Sequence, residues 1–342
     1  VFDARTVGIV AHAEARRESM QALRRACIGE VTPLANPVIA MLDRQARTWL
    51  ERASPDRIAE LDAIARVSGE PGIFLLNASY EFGCTALAGT APDGQTPRLM
   101  RTLDWPFEGL GRHVEIVRQQ GEAGEFLNIT WPGAVGVLTA MAPGRFAATI
   151  NQAPFERYSD IDSLQPVDFV RTSLRTWRHV RDIPAMHLLR EVFETARTFE
   201  EARMMLATRR IARPAIFTLV GIEPGQMAVI ERNVDTAHIQ NGIATAANDW
   251  RYGRFDGRWQ GHGGQGSDAR GDSVARNARI ETYSGRAFPG FEWIEAPILN
   301  AFTRLGVEML PATGELKLQG FEPDANEETA LPATALHRSR WT

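Results

Sequence analysis

The chain has 342 residues, 44% of them hydrophobic and 23% charged, and its formal net charge is −4. This length predicts one large domain or two smaller ones with a substantial core. A protein with this small negative net charge would not attract nucleic acid or an anionic membrane through its overall charge. No apolar run in the sequence reaches the ~18 residues of a membrane span.

The first part of the chain, residues 12–67, predicts helices because apolar side chains recur there at helical spacing. One of these helices begins at Ser54 and Pro55, which are typical of a helix start, and ends at Gly69. The continuous apolar run GIFLLNASY then marks a change of pattern.

Short strands with glycine- and proline-rich turns follow that run. CTALAGTA and RLMRTLDW flank the turn PDGQTP and predict a hairpin. Helices return over residues 167–209, then come strands, one more helix and the closing hairpin RLGVEML-PATG-ELKLQGF. Because the strand blocks are separated from the helices, the order predicts α+β layers and not alternating βαβ units.

Several short motifs carry little weight. GHGGQG (Gly261 to Gly266) lacks the ending of a phosphate-binding loop, and RGDS (Arg270 to Ser273) arises often by chance. His187 lies on an apolar helical stretch, which favours a structural histidine. The cysteines and histidines do not cluster as zinc ligands do, so we expect neither a metal nor another cofactor.

Cys84 is one of two cysteines, and it opens a predicted strand directly after Gly83. One interpretation is structural, with a small apolar side chain buried in a sheet. The other is a nucleophile that becomes a new N-terminus. Cleavage before Cys84 would release an α-amino group, whose reference pKa is about 7.7–8.0, beside the thiol. That amine can serve as the base, so no histidine is required.

Arg101 and Asp104 lie one predicted hairpin away from Cys84. Antiparallel pairing would bring the three side chains together, with the carboxylate orienting the new ammonium and the guanidinium favouring the thiolate. The alternative is a surface Arg–Asp pair of little consequence. The spacing alone does not decide between them.

The stretch LLNASYEFGCTALAG...RTLDWPF resembles the start of the catalytic subunit of N-terminal-nucleophile (Ntn) amide hydrolases. It is most similar to acid ceramidase and N-acylethanolamine-hydrolysing acid amidase, with choloylglycine (bile salt) hydrolases as more distant relatives. An Asn-x-x-Tyr-Glu element (Asn77, Tyr80, Glu81) precedes the Cys-Thr pair, and Ala86 stands where the ceramidase group usually has Ser. Three later segments match in the same order, namely Gly136 to Asn151, Thr245 to Trp250 and Ala296 to Leu318.

The resemblance implies an α+β fold, specifically a four-layer αββα sandwich that is made as an inactive precursor. Residues 1–83 would be a helical pro-segment, or small α chain, and residues 84–342 the catalytic β chain. The Gly-rich segment 251–267 does not resemble any segment of the family, and we expect it to reshape the pocket.

The resemblance also implies the roles of the site residues. Cys84 would be both the self-processing residue and the nucleophile, with Asp104 holding its amine and Arg101 beside its thiol. Asn151 and Asn248 would help form the oxyanion hole together with backbone N–H groups, and the alternative for each is a turn or strand-end residue. A further site arginine is expected at Arg270, with Arg276 as its competitor.

The function implied is a cysteine amidase that processes itself and hydrolyses linear amide bonds. Its substrates would be N-acyl (fatty acyl) amides such as N-acylethanolamines or ceramides. One alternative is an acylase of the bile-salt, penicillin V or acyl-homoserine-lactone type, or an acyltransferase of the same fold. An alternative of another class is a non-catalytic α+β binding protein in which Cys84 is structural.

The expected partners are a small, lipid-like amide and the protein's own pro-segment, with a homo-oligomer left open. The N-terminal helices and the aromatic residues Trp105, Trp131 and Phe146 would line a lipid-facing mouth or belong to an ordinary core. The sequence shows no signal-peptide pattern, so we expect the bacterial cytoplasm, or a periplasmic or secreted location if the N-terminus has been trimmed.

Overall fold

The fold is that of a computed structural model, which describes residues 1–29, 36–78, 83–158, 165–255, 259–261, 269–326 and 328–341. Two β-sheets face each other, and helices cover the outer side of each sheet. The α+β layers predicted from the order of elements, and the four-layer αββα arrangement implied by the resemblance, are both confirmed.

The first sheet is antiparallel except for its first strand, which runs parallel to its neighbour. Its described strands in spatial order are β1 (Phe2–Asp3), β4 (Glu115–Gly121), β5 (Gly124–Thr130), β6 (Thr139–Ala142), β7 (Phe146–Gln152), β9 (Ala215–Val220), β10 (Met227–Arg232) and β11 (Ala237–Asn241). Helices α8 (Ala185–Thr195) and α9 (Phe199–Thr208) pack on its outer side.

The second sheet contains the predicted strand of Cys84. Its described strands in spatial order are β12 (Ala244–Ala246), β2 (Gly83–Thr90), β3 (Pro97–Asp104), β14 (Thr303–Leu310), β15 (Glu315–Pro323) and β16 (Ala330–Pro332), and β17 (His337–Arg340) also pairs with β15. Both predicted hairpins, β2–β3 and β14–β15, are confirmed. Helices α6 (Leu110–His113) and α10 (Ala269–Glu281) cover this sheet, and a separate short pair joins β8 (Phe155–Glu156) to β13 (Trp259–Gly261).

The N-terminal residues form helices, as their periodicity predicts. These are α1 (Gly8–Ala15), α2 (Arg17–Ile28), α3 (Asn36–Ala53), a 3₁₀ turn (Pro55–Arg57), α4 (Ile58–Ser68) and α5 (Ile73–Asn77), and α7 (Gln165–His179) packs beside α3. Gly69 ends α4 in a left-handed conformation, as predicted. Residues 73–77 of the apolar run form helix α5 and not a strand. In this helix Leu75 N–H donates a hydrogen bond to the carboxylate of Asp43. Each helix among the described residues is too short or too polar to cross a membrane.

Residues 1–83 are packed into the rest of the protein. Strand β1 extends the first sheet beside β4, and Trp49 and Leu61 share one apolar cluster with Val117 and Val135. The buried Asn77 adds a polar link between the two parts, because its Nδ2 donates to Gly133 O (3.0 Å) and its Oδ1 accepts from Val135 N–H (2.8 Å). A break between residues 83 and 84 would leave all of these contacts in place.

We predict that Asn77→Ala destabilises the protein by about 2 kcal/mol or more, because it leaves buried backbone groups without partners. Urea unfolding of the purified chain measures the change. Asn233→Ala is the matched control, since the part-exposed Asn233 accepts hydrogen bonds from Asp235 and Thr236 in a surface turn. Equal losses in the two variants would contradict the linking role of Asn77.

Candidate active site

Cys84 is the second residue of β2, and its side chain is completely buried. Arg101 lies on β3 opposite Ala86, so its side chain reaches diagonally along the sheet, past the small Ala86, to Cys84. Arg101 Nη2 is 2.9 Å from Cys84 Sγ. The hairpin therefore brings the guanidinium to the thiol, as the sequence predicts.

Arg101 is completely buried and its guanidinium also donates to two backbone carbonyls. Nη1 donates to Leu138 O (2.8 Å) and Nη2 donates to Ile150 O (3.1 Å). Asp104 is only 6% exposed. The alternative of a surface Arg101–Asp104 pair is therefore wrong, since both side chains lie inside the protein.

Asp104 lies directly opposite Gly83 in the β2–β3 pair. A Cβ atom on residue 83 would be 3.1 Å from Asp104 Cβ and 3.4 Å from its Oδ2, so glycine gives the carboxylate room beside the peptide bond that precedes Cys84. Thr303 Oγ1 donates to Asp104 Oδ1 at 3.0 Å. Burial raises the pKa of Asp104, while Arg276 and the hydrogen bonds from Thr303 and Asn300 oppose that rise.

Asn248 binds the backbone of Cys84. Its Oδ1 accepts from Cys84 N–H at 2.9 Å and from Arg276 Nη2 at 3.1 Å, and its Nδ2 donates to Gln152 O at 2.9 Å. In this uncleaved state Asn248 thus presents an acceptor, and not a donor, to the nitrogen that would become the new amino group. The predicted proximity of Asn248 to Cys84 is observed, and its oxyanion role stays a prediction.

The arginine that enters the cluster is Arg276 and not Arg270. Arg276 is 3% exposed, and it donates to Cys84 O and to Thr85 Oγ1 (2.8 Å), with its Nη1 4.0 Å from Asp104 Oδ2. The side chain of Arg270 is 74% exposed, and its Nε is 3.1 Å from an Asp249 oxygen. The first choice made from the sequence is thus placed outside the cluster, and the competitor lies within it.

Helical periodicity is the signal that distinguishes the two arginines. The buried positions of α10 follow a helical spacing, namely Ser273, Arg276, Asn277 and Ile280. Arg276 therefore faces the sheet, whereas Arg270 lies in the exposed first turn of the helix. The choice of Arg270 from the sequence did not take this phase into account.

Asn151 is completely buried on β7, and its amide ties two backbone carbonyls together. Its Nδ2 donates to Ala246 O and to Ala247 O, each at 3.1 Å. Among the described residues, no donor contacts Asn151 Oδ1. Since the N–H groups of this amide are engaged, the side chain holds the segment that leads to Asn248, and its oxyanion role stays a prediction.

The surroundings of Cys84 disfavour its thiolate in the uncleaved chain. Burial raises the pKa of the thiol, and Asp104 adds to the rise, while Arg101 and Arg276 oppose it. The nearby cations therefore offset only part of the cost of burial. Both cysteines, Cys27 and Cys84, are free thiols.

The remaining predictions about the site concern histidine, metals and two segments. His187 is buried, its Nδ1 is 2.9 Å from Ser54 Oγ, and burial lowers its pKa to about 3. Within the described ranges, no group of three or more His, Cys, Asp and Glu side chains is placed to hold a metal ion. Tyr80, Glu81 and most of the Gly-rich segment lie outside the described residues.

A mostly apolar cavity of about 90 Å³ lies next to the cluster. Trp105, which follows Asp104, lines it, and so does Leu138, whose carbonyl binds Arg101. Other lining residues come from the N-terminal helices and from the loop after β5, including Met20, Leu23, Cys27, Leu76 and Trp131. Of the two alternatives left open for Phe146, the ordinary core is the one observed, because its ring packs 4.9 Å from that of Phe193.

No family model matches the chain. The similar proteins, however, belong to the same group of amide hydrolases that the sequence resembles. The sequence is 26% identical over 210 residues to a probable acid ceramidase of Caenorhabditis elegans, covering 56% of this chain and 50% of that protein. It is 26% identical over 277 residues to the N-acylethanolamine-hydrolyzing acid amidase of Caenorhabditis elegans, covering 74% of this chain and 72% of that protein.

A solved structure of the Caenorhabditis elegans N-acylethanolamine-hydrolyzing acid amidase ortholog has the same fold. The TM-score is 0.51 at 18% sequence identity, covering 73% of this chain and all of that one. The predicted similarity to the acid ceramidase and acid amidase group is confirmed. The chain spans half the length of its acid ceramidase relative and about three quarters of its acid amidase relative. The protein has the Ntn-hydrolase fold of this group.

The two candidate site arginines, Arg276 and Arg270, give a direct test of the site. Arg276→Gln should destabilise the protein by about 3 kcal/mol or more, because it removes a buried cation from Asp104 and leaves Cys84 O without this donor. Arg270→Gln should cost under about 1 kcal/mol, as is usual for an exposed ion pair. Urea unfolding of both variants measures the difference. A larger loss for Arg270→Gln would contradict this placement of the two residues.

Proposed function

We propose that this protein is a cysteine amidase that cuts its own chain before Cys84 and then hydrolyses N-acyl amides. One observation carries the proposal: the Cys84 thiol follows Gly83 directly and lies 2.9 Å from the buried guanidinium of Arg101. Asp104 lies opposite Gly83, and we expect its carboxylate to face the new amino group.

Self-processing would begin with attack of the Cys84 sulfur on the carbonyl carbon of Gly83. The S–C bond forms, the C–N bond breaks, and the departing Cys84 nitrogen takes up a proton. Water then hydrolyses the thioester, which releases the Gly83 carboxylate and the free thiol. Asn248 Oδ1, which already accepts from Cys84 N–H, and the carboxylate of Asp104 would hold the new amine.

Turnover would use the same sulfur on an external amide. The Cys84 amine takes the thiol proton, the sulfur attacks the substrate carbonyl, and the ammonium returns the proton to the leaving amine. Water then hydrolyses the acyl thioester and regenerates the thiol. Arg101 would favour the thiolate. The predicted oxyanion donors, Asn151 and Asn248 with backbone N–H groups, would each be worth about 10²–10³ in rate once their amides turn from the carbonyls that they bind in the uncleaved chain.

Two observations support N-acyl amides as the substrate class, namely the names of the relatives and the walls of the cavity. The relatives are named as acid ceramidases and an N-acylethanolamine-hydrolyzing amidase. The cavity beside the cluster is lined by Leu23, Leu76, Trp105 and Trp131, and such walls suit a hydrocarbon chain. Because both parts of the chain contribute walls, the segment 1–83 would stay bound after cleavage as part of the binding site.

The rival interpretation, a binding protein with a structural Cys84, accounts less well for the cluster. A buried cysteine of the core needs only apolar neighbours. Here two buried arginines and a buried carboxylate surround the thiol and its backbone, and such groups are costly to desolvate. Clusters of this kind are typical of functional sites.

Self-processing predicts that Cys84→Ala leaves the 37.9 kDa chain intact, because the variant has no thiol for the acyl shift. The wild type should give two pieces on a denaturing gel, and N-terminal sequencing of the larger one should read Cys-Thr-Ala-Leu. Cys27→Ala is the control and should be processed normally, since Cys27 lies in the cavity wall away from Gly83. Normal cleavage of the Cys84→Ala variant would contradict the mechanism.

The substrate class predicts that kcat/KM increases with acyl length over a series of N-acylethanolamides. Each buried CH₂ is worth up to about 0.8 kcal/mol, or roughly fourfold, until the cavity is filled. Steady-state rates on the processed wild type give the profile. A flat profile together with good turnover of penicillin V or glycocholate would support the rival acylase instead.

A further inference from the structure

Glu231 is a buried carboxylate that lies outside the cluster described above. It is on β10, 1% exposed, and on the same face of the strand as Val229. Val229 packs against Ala244 and Ala246 of β12, the strand that pairs with β2 beside Cys84. Glu231 therefore faces the chain segment that follows β12.

Three consecutive backbone amides converge on this carboxylate. Oε1 accepts from the N–H of Arg251 (2.6 Å) and of Tyr252 (3.2 Å), and Oε2 accepts from the N–H of Tyr252 (3.1 Å) and of Gly253 (2.6 Å). Successive amides that point at one anion form a nest, which holds the backbone in a single conformation. Hydrogen bonds to a charged acceptor are roughly twice as strong as neutral ones.

Asn248 lies between two anchors of the same segment. On one side, Thr245 and Ala246 are paired with β2, and on the other side Arg251 to Gly253 are bound to Glu231. Tyr252 links the two ends of this segment, because its hydroxyl accepts a hydrogen bond from Thr245 N–H at 3.0 Å. Only two residues separate Asn248 from Arg251, whose amide is the first that Glu231 holds, so the second anchor limits where the Asn248 side chain can lie.

We propose that Glu231 is a positioning residue for the reaction: by holding the amides of residues 251–253, it keeps Asn248 Oδ1 against the nitrogen of Cys84. The catalytic part of this inference rests on the proposed function. Glu231 makes no hydrogen bond to Cys84 and does not line the apolar cavity, so we expect its effect on the site to act through Asn248. The inference also gives the start of the Gly-rich segment a fixed attachment beside the site.

The first measurement needs no catalytic activity. In the Cys84→Ala chain, which keeps the backbone uncleaved, amide hydrogen exchange is followed by NMR at residues 84 and 251–253. Glu231→Gln should speed exchange at 251–253 on the order of tenfold, and speed exchange at residue 84 as well, since Asn248 loses its placement. Unchanged exchange at residue 84 would overturn the proposal, even if the other three amides respond.

The matched control is Glu308→Gln. Glu308 is a buried carboxylate of β14, 2% exposed, which accepts from Trp293 Nε1 (2.8 Å) and lies 3.3 Å from Lys317 Nζ. Its loss should lower the stability of the protein without a selective change at residue 84. An equal change there in both variants would mean that Glu231 acts only through global stability, and the proposal would fail.

The second measurement separates positioning from packing. In processed protein, Glu231→Gln should lower kcat on the order of 10-fold to 100-fold and leave KM within about twofold of the wild-type value. This is the effect expected when a catalytic group is misplaced. Glu231→Asp keeps the carboxylate and should therefore retain more of the wild-type kcat than Glu231→Gln does. If Glu231→Gln does not fold, Glu231→Asp takes its place in both measurements. A normal kcat in both Glu231 variants would overturn the positioning role. A wild type without amidase activity would defeat the proposed function, and the exchange measurement would still decide whether Glu231 holds Asn248.

Discussion

The contact between Cys84 Sγ and the guanidinium of Arg101 is the interaction on which the site depends. It lies inside the protein, where a cation without partners would be prohibitively costly. The fold offsets part of this cost with the carbonyls of Leu138 and Ile150, which accept hydrogen bonds from Nη1 and Nη2 of Arg101. Those carbonyls belong to the facing sheet and its connections, so the packing of the two sheets supplies the partners. The pairing of β2 with β3 then directs the charged group at the thiol.

The neighbourhood of Gly83 joins the proposed processing step to the proposed catalysis. Asp104 occupies the space that a side chain at position 83 would need, and Asn248 already binds the nitrogen of Cys84. Cleavage would therefore create an amine among groups that are in place beforehand. The helices of residues 1–83 are fixed by β1, by the shared core and by Asn77, so they would remain after the cut.

Local patterns allowed much of this arrangement to be predicted from the sequence. The β2–β3 hairpin follows from two short strands around a turn-rich connection, and it places Arg101 beside Cys84. The preference for Arg270 over Arg276 missed the buried arginine because it ignored the helical phase that the burial of α10 follows.

Other features depend on contacts between elements far apart in sequence, which no local pattern contains. The direction of the Asn151 amide is set by two carbonyls about 95 residues away, at Ala246 and Ala247. The same holds for Glu231, whose three amide partners lie about 20 residues further along the chain. A single acidic residue on a buried strand gives no sign of such a partner set. Only the folded arrangement shows which backbone groups need an acceptor.

The most direct test of the central claim is to trap the acyl group on the nucleophile. Processed protein is mixed with a long-chain N-acylethanolamide, quenched in acid within the first turnover, and its large chain is weighed by mass spectrometry. The account predicts a gain in mass equal to the acyl group in place of one hydrogen, located by fragmentation on the N-terminal peptide that begins at Cys84. Hydrolysis of the amide with no acylated species, or with the acyl group on a different peptide, would contradict it.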